Sequence, residues 1–122
     1  ALKAGIPMVT VNDSGGARLQ EGVAALSGYA QVFYNNVLAS GVVPQISAIF
    51  GTCGGGMAVS AGMADFTFME EKSGKLFVNS PNAIDGNYKE KCDTSSADFQ
   101  SRESGCLSIC SLAMRISPVA EA

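Results

Sequence analysis

Histidine is absent from this 122-residue sequence. Its absence removes Ser-His-Asp and Cys-His nucleophile systems, histidine metal sites and histidine pH switches together. Any chemistry must come from backbone amides, carboxylates, lysine, tyrosine, hydroxyls or thiols. The four cysteines, at 53, 92, 106 and 110, form no C-x-x-C pair. With no secretory signal pattern visible, free thiols in a cytoplasmic protein are expected rather than a disulfide framework. No apolar run reaches the roughly 18 residues of a membrane span; Val42 to Phe50 is interrupted by Pro44 and Gln45. Charge is scarce too. Charged residues make up 16% of the chain, and 11 acidic against 8 basic side chains leave a net −3. That balance offers no electrostatic footprint for nucleic acid.

What is present suits a packed fold. Hydrophobic residues make up 47%, and the length fits one domain or a piece of one. The opening Ala1-Leu2-Lys3-Ala4-Gly5 has the pattern of a last helical turn with a glycine stop, so a fragment of a longer protein is expected. Pro7 to Val11 is a short β-branched run expected as a buried strand, with a turn over Asn12 to Gly16. Ala17 opens a candidate helix in which Val23, Ala24, Leu26, Ala30, Phe33, Tyr34, Val37 and Leu38 recur at helical spacing. Gly22 and Gly28 interrupt it, leaving one helix or two pieces open.

Gln45–Phe50 is expected as a second strand, the Gly51–Gly56 run as a turn, and Met57 to Met63 as a helix. Asp65–Met69 and Leu76–Asn79 are further strand candidates joined by a charged turn over Glu70 to Lys75. Strand, glycine turn and helix thus occur twice, which predicts an α/β unit with parallel strands. Residues 1–80 form the expected core. The stretch 81–122 is expected as a polar linker, loop-like from Asn82 to Gly105, followed by a possible terminal helix through Leu107, Cys110 and Met114 and ended by Pro118.

Each glycine run sits between a strand and a helix. That placement leaves backbone N–H groups without partners, and glycine lets a ligand approach them closely. Two such turns on neighbouring parallel strands would converge on one oxygen atom as an oxyanion hole. A phosphate loop is excluded because no lysine follows either run. The Gly-x-Gly-x-x-Gly dinucleotide pattern fails at Val59. Tight packing of small residues between helix and sheet is the competing structural reading.

The run Asn12-Asp13-Ser14-Gly15-Gly16-Ala17-Arg18-Leu19-Gln20-Glu21-Gly22-Val23 resembles the signature of the carboxyltransferase subunits of biotin-dependent acyl-CoA carboxylases and decarboxylases. The order Phe33-Tyr34, Ala39 to Ser47, the Gly51–Gly56 turn and Asp65 to Met69 resembles it as well, over about Gly5 to Val78. The resemblance is to the propionyl-, methylmalonyl- and glutaconyl-CoA type. It implies an α/β fold of the crotonase (ClpP-like) kind, ββα units stacked in a superhelix, of which this chain would be a partial domain. Family members carry two such domains, and their active site lies where one subunit's first domain meets another's second.

By that resemblance, the amide of Gly16 matches the first oxyanion donor and that of Gly56 or Gly55 the second, with Gly15 supporting the first turn. Ser14, Ala17, Arg18, Cys53 and Gly54 flank these donors as substrate-contact candidates. The implied substrate is an acyl-CoA. The implied cofactor is biotin on a separate carrier, whose ureido nitrogen takes the α-proton, and no metal is expected. Implied partners are a biotin carboxyl carrier protein and a biotin carboxylase or membrane decarboxylase subunits, in a homo-oligomer. The lack of histidine fits a mechanism without a side-chain base.

Alternatives stand beside these roles. Arg18 would contact a CoA phosphate, orient its turn, or simply pair with Glu21 one turn on. Asp13 is expected to cap the next helix or brace the turn rather than act as an acid or base. Ser14 lacks an activating partner for nucleophilic attack. Cys53 has an alternative as a small packed residue. An acyl-CoA hydratase, isomerase or non-biotin decarboxylase on the same fold is the second reading; hydratases commonly place a glutamate just beyond the second glycine turn and are disfavoured because Met57 to Met63 holds no carboxylate. A truncated assembly or binding module is the non-enzymatic alternative.

Overall fold

The β-branched runs that follow Pro7 and Pro44 become the two long strands of a four-stranded parallel sheet. The computed structural model describes residues 1–79 and 94–107. β1 (Met8–Ser14) pairs with β2 (Gln45–Gly54), from Met8 opposite Gln45 to Asn12 opposite Ile49. The register then slips, and Ser14 meets Cys53. A single 3-10 turn (Leu19–Glu21) and helix α1 (Val23–Ala39) make the crossover between them. Helix α2 (Gly56–Gly62) follows β2 directly. Strands β3 (Phe66–Met69) and β4 (Lys75–Phe77) then pair with successive stretches of β2, both parallel to it. Helix α3 (Ala97–Arg102) lies beyond them.

Period-two alternation along β2 turns Gln45, Ser47 and Ile49 to the helix-covered side, where all three are buried. Ile49, Cys53, Met69, Leu76, Ala58, Ala61, Ala97 and Leu107 form the apolar core. Ile49 and Met69, each 1% exposed, contribute roughly 1.5–3 kcal/mol apiece by burial. Beside this core runs a polar layer. Asn12 Nδ2 donates to Ser47 Oγ (2.7 Å), Asn36 Nδ2 to Ser60 Oγ (2.7 Å), Gln45 Nε2 to the Asn36 carbonyl (3.1 Å) and Thr67 Oγ1 to the Ala61 carbonyl (2.9 Å). Among the described residues no buried side-chain nitrogen or oxygen lacks a partner, so this layer fixes register without a desolvation cost.

The other sheet face is largely exposed among the described residues. Val9, Ile46 and Phe66 lie side by side across three strands, with Val9 61% and Phe66 51% exposed. α1 is similar. Its buried residues are Asn36 and Ala39, whereas Val23, Leu26, Tyr34 and Val37 are exposed. A helix apolar on all sides is one made to be buried on all sides.

Several elements differ from their expected bounds. β1 runs on through the expected turn at Asn12 to Ser14, because Asn12 and Asp13 find hydrogen-bond partners on β2. Gly22, at φ +54°, separates the 3-10 turn from α1, while Gly28 stays inside the helix. β2 continues into the glycine run as far as Gly54. β3 and β4 do not pair as a hairpin; each takes β2 as its partner.

The polar stretch expected as a loop from 82 to 105 contains α3. Ser96 Oγ accepts from Phe99 N (3.4 Å), and Asp98 pairs with Arg102 at 2.8 Å. Leu76 N donates to the Ser95 carbonyl (2.9 Å), and Gln100 Nε2 reaches the Leu76 carbonyl (3.2 Å), tying α3 to β4. Residues 81–93 of the expected linker and the expected terminal helix beyond Leu107 lie outside the described residues.

Candidate functional site: two glycine turns in contact

β1 and β2 run parallel as neighbours, so the turns that leave them emerge at the same end of the sheet. There their main chains touch. A methyl group on Gly16 would stand 3.4 Å from the Gly54 carbonyl oxygen, one on Gly54 3.0 Å from the Gly15 oxygen, and one on Gly55 3.7 Å from Gly16 Cα. Gly16 adopts φ +113° and Gly55 φ +61°, conformations that L side chains rarely take. The structure therefore brings Gly15, Gly16, Gly54 and Gly55 into contact, with Gly56 next along the second turn.

Each amide in this contact has a distinct state. Gly16 N–H donates to Ser14 Oγ at 3.3 Å, long for such a bond. Gly55 N–H donates to the Phe77 carbonyl at 3.0 Å and is engaged in holding β4. Gly56 N–H opens α2 and so has no acceptor within that helix. Of the two expected second donors, Gly56 is the one whose amide is not already committed to the fold.

The flanking side chains sort clearly. Asp13 braces rather than caps: its Oδ1 accepts from Thr52 N (3.1 Å), linking the end of β1 to the second turn. Gly51 leaves the room this needs, since a methyl there would collide with the Asp13 carboxylate. Ser14 Oγ accepts from the Gly16 amide, and among the described residues no base is hydrogen-bonded to it. Arg18 pairs with Glu21 at 3.3 Å, both side chains well exposed, an interaction worth little. Cys53 departs from its expected contact with substrate. It is fully buried in the core, and burial pushes its thiol up to about 11.

One residue that the motifs did not single out is Tyr29. Its ring lies against the bare Cα of Gly56, where a methyl would stand 2.7–3.0 Å from Cδ1, Cε1 and Cγ. Behind it is Phe33, ring centres 6.1 Å apart. The only sequence signal was its place four residues before Phe33, an ordinary helical pairing. Tyr29 also lines an open groove of about 380 Å³, shared with Gly16, Ala17 and Arg18 of the first turn, Ala25 of α1 and Met57 of α2. An apolar groove beside side-chain-free amide donors can seat an acyl group with its carbonyl oxygen on the donors.

The carboxyl transferase domain family matches residues 1–109, reaching past Val78 to include α3. The chain is 52% identical over 84 residues to the propionyl-CoA carboxylase beta chain of Cereibacter sphaeroides, covering 69% of this chain and 16% of that one. It is 54% identical over 84 residues, with the same coverages, to the alpha subunit of methylmalonyl-CoA decarboxylase from Propionigenium modestum. The hexameric transcarboxylase 12S, solved with hydrolysed methylmalonyl-coenzyme A bound, superposes with a TM-score of 0.79 at 39% identity, over 87% of this chain and 21% of that one. The chain thus spans about a fifth or less of the length of these relatives. Two strand–glycine turn–helix units on a parallel sheet, matched over most of their length, make this chain a member of the carboxyl transferase domain family, with a partial α/β domain of crotonase type.

Proposed function

We propose that this chain is the thioester-holding part of an acyl-CoA carboxyltransferase, which moves a carboxyl group between biotin on a separate carrier and a propionyl- or methylmalonyl-CoA-type substrate. The observation that supports this reading is the backbone contact between the two glycine turns, next to a groove lined by Gly16 of the first turn and by Met57 and Tyr29, the neighbours of Gly56 in sequence and in space. The acyl carbonyl oxygen takes both N–H bonds, and Ser14 Oγ gives up its long bond to Gly16 as it does so. Negative charge that grows on that oxygen when the α-carbon loses its proton or carboxyl group then meets fixed dipoles. Each such donor is worth about 2.7–4 kcal/mol in the transition state.

Biotin supplies or takes the carboxyl group. Its ureido carbonyl is also an acceptor that side-chain-free amides suit, so these turns fit it chemically as well as the thioester. The uncovered faces of α1 and of the sheet are where further family structure and a second copy of the chain pack. Carrier, carboxylase or decarboxylase subunits complete the assembly.

Replacing Gly16 by proline cannot test this, because proline does not reach φ +113°. The test is made on the ligand. Calorimetric titration compares propionyl-CoA with S-propyl-CoA, the thioether that lacks the carbonyl oxygen, and with free CoA. Propionyl-CoA is expected to bind at least about ten-fold more tightly than the thioether, since the latter leaves two donors unpaired. Equal binding removes the amide pair from the mechanism. No binding of any of the three makes this chain an assembly piece.

A further inference from the structure

We propose that Tyr29 sets the size of the acyl group the groove admits. The proposal rests on the reading of the groove just given and extends it to selectivity. The Tyr29 ring lies on Gly56, the residue whose amide is offered to the carbonyl oxygen, and its face forms part of the groove wall. An acyl chain attached to that carbonyl therefore begins next to the ring. The other walls combine small groups, Gly16, Ala17 and Ala25 among them, with Arg18, Glu21, Val32 and Met57; of the large side chains it is the Tyr29 ring that lies directly on Gly56, so it is the bulk met first by a chain extending from that carbonyl.

The Tyr29 phenol makes no hydrogen bond among the described residues, whereas the ring packs between Gly56 and Phe33. Gly56 is glycine because that approach leaves no room for a methyl. Shortening Tyr29 opens the groove back toward the Phe33 ring, which lies 6.1 Å behind. In apolar pockets one methylene is discriminated by about 10–200-fold, so loss of this wall is a large change on that scale.

The experiment titrates the 122-residue chain and its variants with propionyl-CoA and pentanoyl-CoA, folding being checked by circular dichroism. The unsubstituted chain is expected to prefer propionyl-CoA by about ten-fold or more. Tyr29→Phe keeps that preference. Tyr29→Ala, and Tyr29→Leu, which retains apolar packing on Gly56, reduce it about ten-fold by binding pentanoyl-CoA more tightly while propionyl-CoA changes little. A merely structural tyrosine would instead weaken both ligands together, and that result overturns the proposal. An unchanged ratio in both shortened variants overturns it as well, with the thioester site left standing. Failure of the unsubstituted chain to bind either thioester removes the site and this proposal together.

Discussion

The turn at Asp13–Gly16 is held by polar side chains, and the turn at Gly51–Gly56 by main chain and rings. In the first, Ser14 Oγ receives the Gly16 amide and the exposed Asp13 carboxylate reaches across to Thr52. In the second, Gly55 is pinned by the Phe77 carbonyl, Gly54 is closed in by the Phe77 ring, and Gly56 lies under Tyr29. Cys53 seals its base. On the proposed reading, one donor would be placed by bonds that a ligand can exchange, and the other by sterics that a ligand cannot move. Such a pair would keep one amide fixed while letting the other release its resting partner.

Substitutions can break this contrast, beginning with the steric turn. Gly54→Ala puts a methyl 2.9 Å from the Phe77 ring and 3.0 Å from the Gly15 oxygen. It is expected to destabilise by about 1–3 kcal/mol, read as a lowered urea midpoint at constant slope. Gly16→Ala meets more space, 3.4 Å to the Gly54 oxygen, but must hold φ +113°, an expected loss of about 1–2 kcal/mol. Asp13→Ala removes only an exposed acceptor for Thr52 N and should lower stability by about 0.5 kcal/mol. A loss as large as that of Gly54→Ala would erase the distinction between the two turns.

Two smaller effects sharpen it. Peptide mapping after brief iodoacetamide treatment at pH 8 is expected to find Cys106, which is exposed, modified and Cys53 spared. With its folded value near 11 against 9.0 when free, Cys53 contributes stability that is complete below pH 9 and is lost as pH rises through about 11. Glu70 behaves in the opposite sense. Hydrogen bonds from the Ser73 hydroxyl, then from the Ser73 and Lys72 backbone, hold its carboxyl below the ordinary 4.5. Its contribution is present above pH 4.5 and fades as pH falls through the lowered value. Glu70→Gln should flatten that acid limb slightly, since the group is fully exposed.

The parallel α/β architecture and the glycines of the contact could be read from the sequence because strand, glycine run and helix carry strong local signals. What could not be read depended on partners far along the chain. Asn12 and Asp13 have turn propensity, yet β1 continues through them because Ser47 and Thr52 satisfy them 35 and 39 residues later. Gly22 breaks the helix and Gly28 does not, although both have the same intrinsic cost. α3 has six residues and hides behind a polar composition; its buried contribution is Ala97. Tyr29 gave no motif, since its meaning lies in the absence of a side chain at Gly56. Cys53 looked like part of the turn chemistry because sequence adjacency to glycines does not reveal which way a strand residue points.

Every strand pairing among the described residues runs through β2: β1, β3 and β4 each meet it and not one another. Within this chain β1 and α1 therefore precede the strand that receives them, Gln45–Gly54. Pairing Met8 with Gln45 closes a loop of more than thirty residues, a topology that folds slowly compared with local hairpins. The exposed valines of β1 are then most available to wrong partners while the ribosome is still extending the chain. A nascent chain halted just short of residue 45 should be a strong chaperone client, and one released a dozen residues later a weaker one.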